Sequence, residues 1–303
     1  MERTLAETIK EITRIHLEEN NGLILGQCLS AVGWVNNTIP DTKNIVELPM
    51  TDVAGGGIAA GAAIVGRRPI FVIRFQDFMF SNSSMLVNYA AKAKEIFNVN
   101  APVFIRALAT EGHGTGPVHS GTMHSIFMHV PGFFVCSPMT PGEYQKIWKT
   151  FMNNDSPMFV SEHRHSFNQK EEIENKILPD ADITIYGIGL ARFKILEAIE
   201  LLKRENIKCN FINVLWLKPL DLSEDVLNPL RQSKLGLVID SGFEIAGASQ
   251  SIAYELMKKT KNYVEALGAE DKTIGTAERY ENATPSTEKI VNKVKTLLTM
   301  RNQ

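Results

Sequence analysis

Apolar positions along this chain follow two rhythms that alternate. At the start, Leu5, Ile9 and Ile12 recur at helical spacing behind Thr4 and Glu7, a T-x-x-E capping box, and the run stops at Asn20-Asn21-Gly22. That pattern predicts an opening helix. Short apolar runs follow at Leu23 to Leu25, Ile70 to Phe75, Val103 to Ile105, Phe133 to Cys136 and Met158 to Val160, with helical patterns between several of them, notably Ser84 to Ile96 and Pro141 to Met152. Alternation of this kind predicts a mostly parallel sheet covered by helices on both faces.

From His163 to Asp182 the pattern fades into a polar, charged stretch, SFNQKEEIENKILPDAD, which reads as a linker. Beyond it the alternation resumes, with strands expected at Ile183 to Tyr186, Asn210 to Val214 and Gly236 to Ile239, and helices at Leu190 to Glu205, Ala248 to Lys258 and Ser286 to Leu298. The expectation is a first domain over 1–165, a linker over 166–181 and a smaller α/β domain over 182–303.

Composition agrees with two globular domains: 303 residues, 44% hydrophobic and 22% charged. A net charge of -2 without a dense Lys/Arg patch gives no footing for a nucleic-acid backbone. The N-terminus is charged and amphipathic, and no run of about 18 apolar residues occurs, so neither secretion nor membrane insertion is expected and the cytoplasm is the expected compartment. Cys28, Cys136 and Cys209 are few and far apart, which fits reduced thiols better than a disulfide framework or a zinc site.

Candidate chemistry gathers in the first domain. Of seven histidines, all but His16 lie between His113 and His165, and EGHGTGPVHSGTMHSIFMHVPGF (Glu111 to Phe133) holds four of them with a glycine-rich loop able to approach a ligand closely. His119, His124 and His129 repeat every five residues, which does not stack them on one helical face as metal ligands, and local hydrogen bonding accounts equally well for His113 and His124. RFQDFMFSNSSMLVNYAAKAKEIF (Arg74 to Phe97) sets Phe75, Phe78 and Phe80 beside Asp77 just past a strand end; core packing explains one or two of these rings, and the three together also make a slot for a planar heterocycle. Asp52 opens DVAGGGIAAGAAI, whose small residues let a helix or a flat ligand come close. No G-x-S-x-G elbow and no G-K-[ST] phosphate loop is present, and GIGLAR after Tyr186 lacks the third small residue of a dinucleotide fingerprint.

Taken in order, these segments resemble the β subunit of the thiamine diphosphate-dependent component of 2-oxoacid dehydrogenase complexes, within the transketolase superfamily. The matching residues are Asp52 with Gly57-Ile58-Ala59 and Gly61-Ala62; Phe75, Asp77, Phe78 and then Asn88, Ala90, Ala91 and Lys92; His119-Ser120; His129-Val130-Pro131-Gly132-Phe133 with Val135 and Pro138; and Lys218-Pro219-Leu220-Asp221. The resemblance implies a pyrimidine-binding parallel-sheet domain followed by a transketolase C-terminal-like α/β domain. It implies Asp52 and His119 as catalytic residues, with Asp52 bonding to a ring nitrogen of the cofactor's aminopyrimidine and His119 stabilising or protonating the alkoxide formed on a 2-oxo acid or ketose. Phe78, Phe75 and Gln27 are the further cofactor-binding candidates, and His129, His113 and Asp77 the substrate or loop candidates. No G-D-G with a following N-N occurs, so the diphosphate and Mg²⁺ site is expected on an α-type partner chain, giving an α2β2 assembly with a lipoyl acyltransferase as a further partner; no metal site is expected in this chain.

Two departures qualify what the resemblance implies. Where the family has Glu this chain has Asp52, reaching roughly 1.3 to 1.5 Å less far because a C–C bond is about 1.5 Å. The family's G-E-[DE]-V is Gly26-Gln27-Cys28-Leu29 here, so acids near the cofactor channel are missing. Alongside decarboxylation with acyl transfer, a carboligase, a split transketolase, a scaffold or regulatory subunit, and a nucleotide-binding protein acting alone stand as alternatives; the last predicts cofactor affinity by this chain alone.

Overall fold

The structure is a computed structural model and describes residues 3–30, 35, 37–112, 114–275 and 282–301. The chain divides into two compact units, Met1–Glu172 and Ile173–Gln303.

In the first unit, helix α1 (Leu5–Glu19) starts at the capping box read from the sequence: the Glu7 N–H donates to Thr4 Oγ1, and the Glu7 carboxylate accepts from the Thr4 N–H at 2.7 Å. Strand β1 (Leu23–Gly26) follows, then the edge strand β2 (Ile45–Glu47) and helix α2 (Asp52–Ile64). Strand β3 (Pro69–Ile73) leads into α3 (Met79–Met85) and α4 (Ala93–Phe97). Next come β4 (Phe104–Ala109), α5 (His124–Met128), β5 (Phe134–Cys136), α6 (Pro141–Met152) and β6 (Met158–His163). The strands of this unit lie in the order β2-β1-β3-β4-β6-β5, every pairing parallel, with Leu25 opposite Phe71 and Ile105 opposite Phe159. Helices cover both faces of such a sheet, and β3, β4 and β6 are accordingly buried at every position.

In this unit the sequence reading and the structure differ notably at a helix and at a strand. The helix expected over Ser84 to Ile96 is broken: Leu86–Ala90 forms a π turn, closed by the Ala91 N–H donating to Leu86 O at 2.9 Å, and α4 begins after it. One extra residue in that turn shifts the register, so a single period no longer describes the segment. Strand β2 was not expected, because three residues at an edge with two exposed carry no alternation.

Between β4 and β6 lies a fully buried ion pair. Arg106 Nε and Nη2 donate to the two carboxylate oxygens of Glu162 at 2.7 and 2.9 Å, and Tyr144 Oη donates to Glu162 Oε1 at 2.8 Å. His16 is also buried, edge-on to Trp148 at 4.9 Å, and its Nε2–H donates to Arg68 O at 2.7 Å. Burial pushes this imidazole below its ordinary value, the Arg68 carbonyl pulls the other way, and the Arg68 and Arg67 charges add to the depression.

The second unit contains β7 (Ile183–Ile188), α7 (Ala191–Arg204), β8 (Cys209–Val214), β9 (Trp216–Lys218), α8 (Glu224–Ser233), β10 (Leu235–Phe243), α9 (Ala248–Thr260), β11 (Tyr263–Ala269) and α10 (Thr287–Arg301). Its sheet has the order β11-β10-β7-β8, all parallel. The first glycine of GIGLAR, Gly187, lies within β7 and is packed tight: a Cβ there would lie 2.8 Å from Ile195 Cδ1, which explains the glycine without a bound phosphate. Among the described residues no helix is long and apolar enough to cross a membrane.

Candidate functional site

The site is assembled where parallel α/β sheets place ligands, beyond the C-terminal ends of the strands. Gln27 follows β1, the segment from Arg74 to Phe78 follows β3, and Asp52 is the first residue of α2, where a carboxylate complements the helix dipole. Asp52 Oδ1 accepts two amide N–H bonds, from Gln27 Nε2 and from Asn82 Nδ2, each at 3.1 Å. Asn82 Nδ2 also donates to Phe78 O at 2.9 Å. These residues line one pocket together with Leu48, Gly55 and Arg74, with about 270 Å³ of free space, open solvent included. Glycine is required beside it at Gly56, where a Cβ would stand 2.2 Å from Asn82 O.

Aromatic rings form the wall. Phe75 is 2% exposed and packs edge-on to Phe78 at 5.3 Å and to His119 at 4.6 Å, while Phe78 and His119 are 5.4 Å apart. Phe75 therefore packs against both Phe78 and His119, and of these three rings Phe78 reaches the pocket, which Phe71 of β3 also lines. Of the three phenylalanines expected at this edge, Phe75 and Phe78 cluster with His119, whereas Phe80, 67% exposed on α3, is not part of the cluster.

His119 sits on the glycine-rich loop, in which Gly112, Gly114 and Gly116 all have positive φ, a conformation that favours glycine. Its Nδ1 lies 3.0 Å from Thr115 O. A carbonyl only accepts, so Nδ1 carries the proton and Nε2 is the nitrogen left for a ligand. Asp77 is tied to the same loop by the Gly121 N–H at 3.1 Å; burial raises its carboxyl above the usual range, while the Gly121 bond and the nearby His119 pull it down.

Not every candidate converges. His129 is exposed at the C-cap of α5 and takes no part in the contacts described for the pocket. His113 lies outside the described residues. His124 is fully buried, its Nδ1 3.0 Å from Ser161 Oγ, which itself accepts from Gln76 Nε2 at 2.8 Å; this is a local structural network. Among the described residues no group of three or more His, Cys, Asp or Glu side chains is placed to hold a metal ion.

Two residues of the site were missed by sequence reasoning. Asn82 stands in a polar helical stretch with no motif around it, and its partner is thirty positions away. Arg74 directly precedes Phe75, the one signal that could have drawn attention to it; its guanidinium lies over Phe78 at 5.4 Å and Phe75 at 5.9 Å and donates to Cys28 Sγ.

Comparison with known proteins agrees with this architecture. Residues 20–170 match the family model of the transketolase pyrimidine binding domain, and residues 175–290 match that of the transketolase C-terminal domain. The pyruvate dehydrogenase E1 component subunit beta of Rickettsia bellii is 28% identical over 273 residues, covering 84% of this chain and 83% of the relative. The acetoin:2,6-dichlorophenolindophenol oxidoreductase subunit beta of Cupriavidus necator is 27% identical over 235 residues, covering 73% and 69%. Among solved structures, a split gene transketolase described as an inactive beta4 tetramer superposes with a TM-score of 0.75 at 18% identity, covering 98% of this chain and 99% of that one. The transketolase of Campylobacter jejuni superposes with a TM-score of 0.76 at 16% identity, covering 97% of this chain and 46% of that one. With the pyrimidine binding domain and the C-terminal domain matched in order along one polypeptide, the chain belongs to the transketolase family.

Proposed function

We propose that this chain is the β-type subunit of a two-chain, thiamine diphosphate-dependent enzyme that acts on a 2-oxo acid by decarboxylation and transfer of the acyl or aldehyde fragment. The observation that carries the reading is the pocket in which the Asp52 carboxylate and the Phe78 ring face one space, in a domain matched by a pyrimidine-binding family. An aminopyrimidine needs one carboxyl group at a ring nitrogen and one flat apolar face. Both are present, and because Gln27 and Asn82 both bond to Oδ1, Oδ2 is the oxygen left to address the ring.

When bound, thiamine diphosphate supplies a nucleophilic carbon that adds to the keto group. The chain's own residues have separate tasks. Asp52 holds the proton at the ring nitrogen, its missing methylene made up by a bridging water or a small inward shift of α2. Phe78 stacks on the heterocycle, with Phe75 behind it. His119, its Nδ1 fixed by Thr115, offers Nε2 to the substrate's keto oxygen, where it holds or delivers a proton. Asp77 orients the loop that carries His119.

The diphosphate and its Mg²⁺ belong, in this reading, to an α-type partner chain in an α2β2 assembly, with a lipoyl acyltransferase as acceptor in an oxidative complex. Support comes from the β-subunit names of the relatives and from the large apolar residues that α2, α3 and the π turn leave exposed, among them Val53, Ile58, Phe80 and Tyr89. A second reading, half of a split transketolase acting on a sugar-derived ketone, is favoured by the end-to-end match with the split-gene chain.

The test is turnover of the chain purified with its α-type partner, offered 2-oxo acids and ketose phosphates in parallel. Asp52→Asn is expected to lower turnover at least about a hundredfold, as loss of a general acid or base does, with the assembly intact on size exclusion. Full activity in Asp52→Asn would remove the basis of the proposal.

A further inference from the structure

We infer that Asn82 is a positioning residue that sets the Asp52 carboxylate and the Phe78 ring in register with each other, with Gln27 as a second clamp on the same carboxylate oxygen. The inference rests on the proposed role of Asp52 and extends it to Asn82, which lies outside the family motifs.

Asn82 is 4% exposed, and its amide nitrogen meets two acceptors at once, Asp52 Oδ1 at 3.1 Å and Phe78 O at 2.9 Å. Both partners only accept, so the NH2 end of the amide must face them, and the orientation of the side chain is fixed by chemistry. One N–H thus reaches the N-terminus of α2 and the other the backbone of the residue whose ring forms the pocket wall. Gln27, 9% exposed, donates to the same Oδ1 from the end of β1. A carboxylate with two donors on one oxygen cannot rotate freely, and its second oxygen is held in a fixed direction. Helix α2 packs close against α3 at this point, where a Cβ on Gly56 would stand 2.2 Å from Asn82 O.

A short acid makes such positioning matter more. Asp52 has one fewer torsion than a Glu, so it has fewer rotamers with which to reach a ligand, and what grips Oδ1 sets the direction of Oδ2. Few other charged or titratable groups surround it among the described residues: Arg74 lines the same pocket, Cys28 lies beside Arg74, and His119 stands across the Phe78 ring.

The experiment compares Asn82→Ala and Asn82→Asp with the wild type, each as the full chain in complex with its α-type partner. Thiamine diphosphate with Mg²⁺ is titrated calorimetrically, and the pH profile of turnover is recorded. Asn82→Ala is expected to weaken cofactor binding about tenfold to a hundredfold, the range for a hydrogen bond to a charged group. Asn82→Asp keeps the shape but sets a second carboxylate against Asp52, and two such groups share a proton. Its acidic limb should therefore move to higher pH by about one unit or more, as happens only if the side chain at position 82 stands against the Asp52 carboxylate in the working complex. A wild-type complex that binds cofactor, alongside Asn82 variants with unchanged affinity and superimposable pH profiles, would overturn the inference alone, whatever their melting temperatures. A wild-type complex that fails to bind cofactor would overturn the proposed function, and this inference with it.

Discussion

Single residues carry the clearest consequences. Phe78 is one of two rings that line the pocket, the other being the buried Phe71 of β3, and Phe78→Ala should weaken thiamine diphosphate binding to the complex by about tenfold, given the ~0.5–1.5 kcal/mol of an aromatic contact beyond its buried area. Calorimetric titration reads this directly. His16 makes a pH-dependent contribution to stability. Its folded-state value is depressed, so its contribution is complete above the ordinary value of about 6.5 and is lost as pH falls towards the folded value. Urea midpoints measured across that window should fall with pH in the wild type and flatten in His16→Gln. At this scale Asp52, Phe78 and His119 were legible in the sequence because each stands in a motif with fixed neighbours. Asn82 was not, because its meaning comes from a partner on another helix.

Elements give a second set of consequences. The α2–α3 contact depends on the absence of a side chain at Gly56, and a Cβ there would sit 2.2 Å from the Asn82 carbonyl. Gly56→Ala should cost about 1–3 kcal/mol, the usual range for overpacking, measurable as a lower denaturant midpoint. Across β4 and β6, Glu162→Ala leaves the Arg106 guanidinium buried without its counter-charge and should cost about 3–5 kcal/mol by the same measurement. Strands buried on both faces were readable as continuous apolar runs. Strand β11 was not, since YVEALGA mixes Glu, Ala and Leu that favour helix with few β-branched residues, and tertiary pairing with β10 decides it. Helix α8 escaped notice for the opposite reason: EDVLNPLRQS is polar and contains Pro229, so little periodicity shows.

For the whole molecule, the exposed apolar residues around the pocket are the consequential surface. Phe80, 67% exposed on α3, bears no load in the pocket itself. Phe80→Asp should therefore leave the melting temperature of the isolated chain nearly unchanged while weakening association with the α-type partner, as read by size exclusion or sedimentation. Equal loss of both would count against a partner surface there. The π turn at Leu86–Ala90 has a further consequence, for how such a pocket can change over generations. An α-helix advances about 100° per residue, so deleting one residue from the turn would let the helix run on regularly and rotate everything before it, Asn82 included, relative to everything after it. Length is thus a heritable variable here as much as residue identity: a single codon lost could re-aim the carboxylate's clamp without altering any side chain in the pocket.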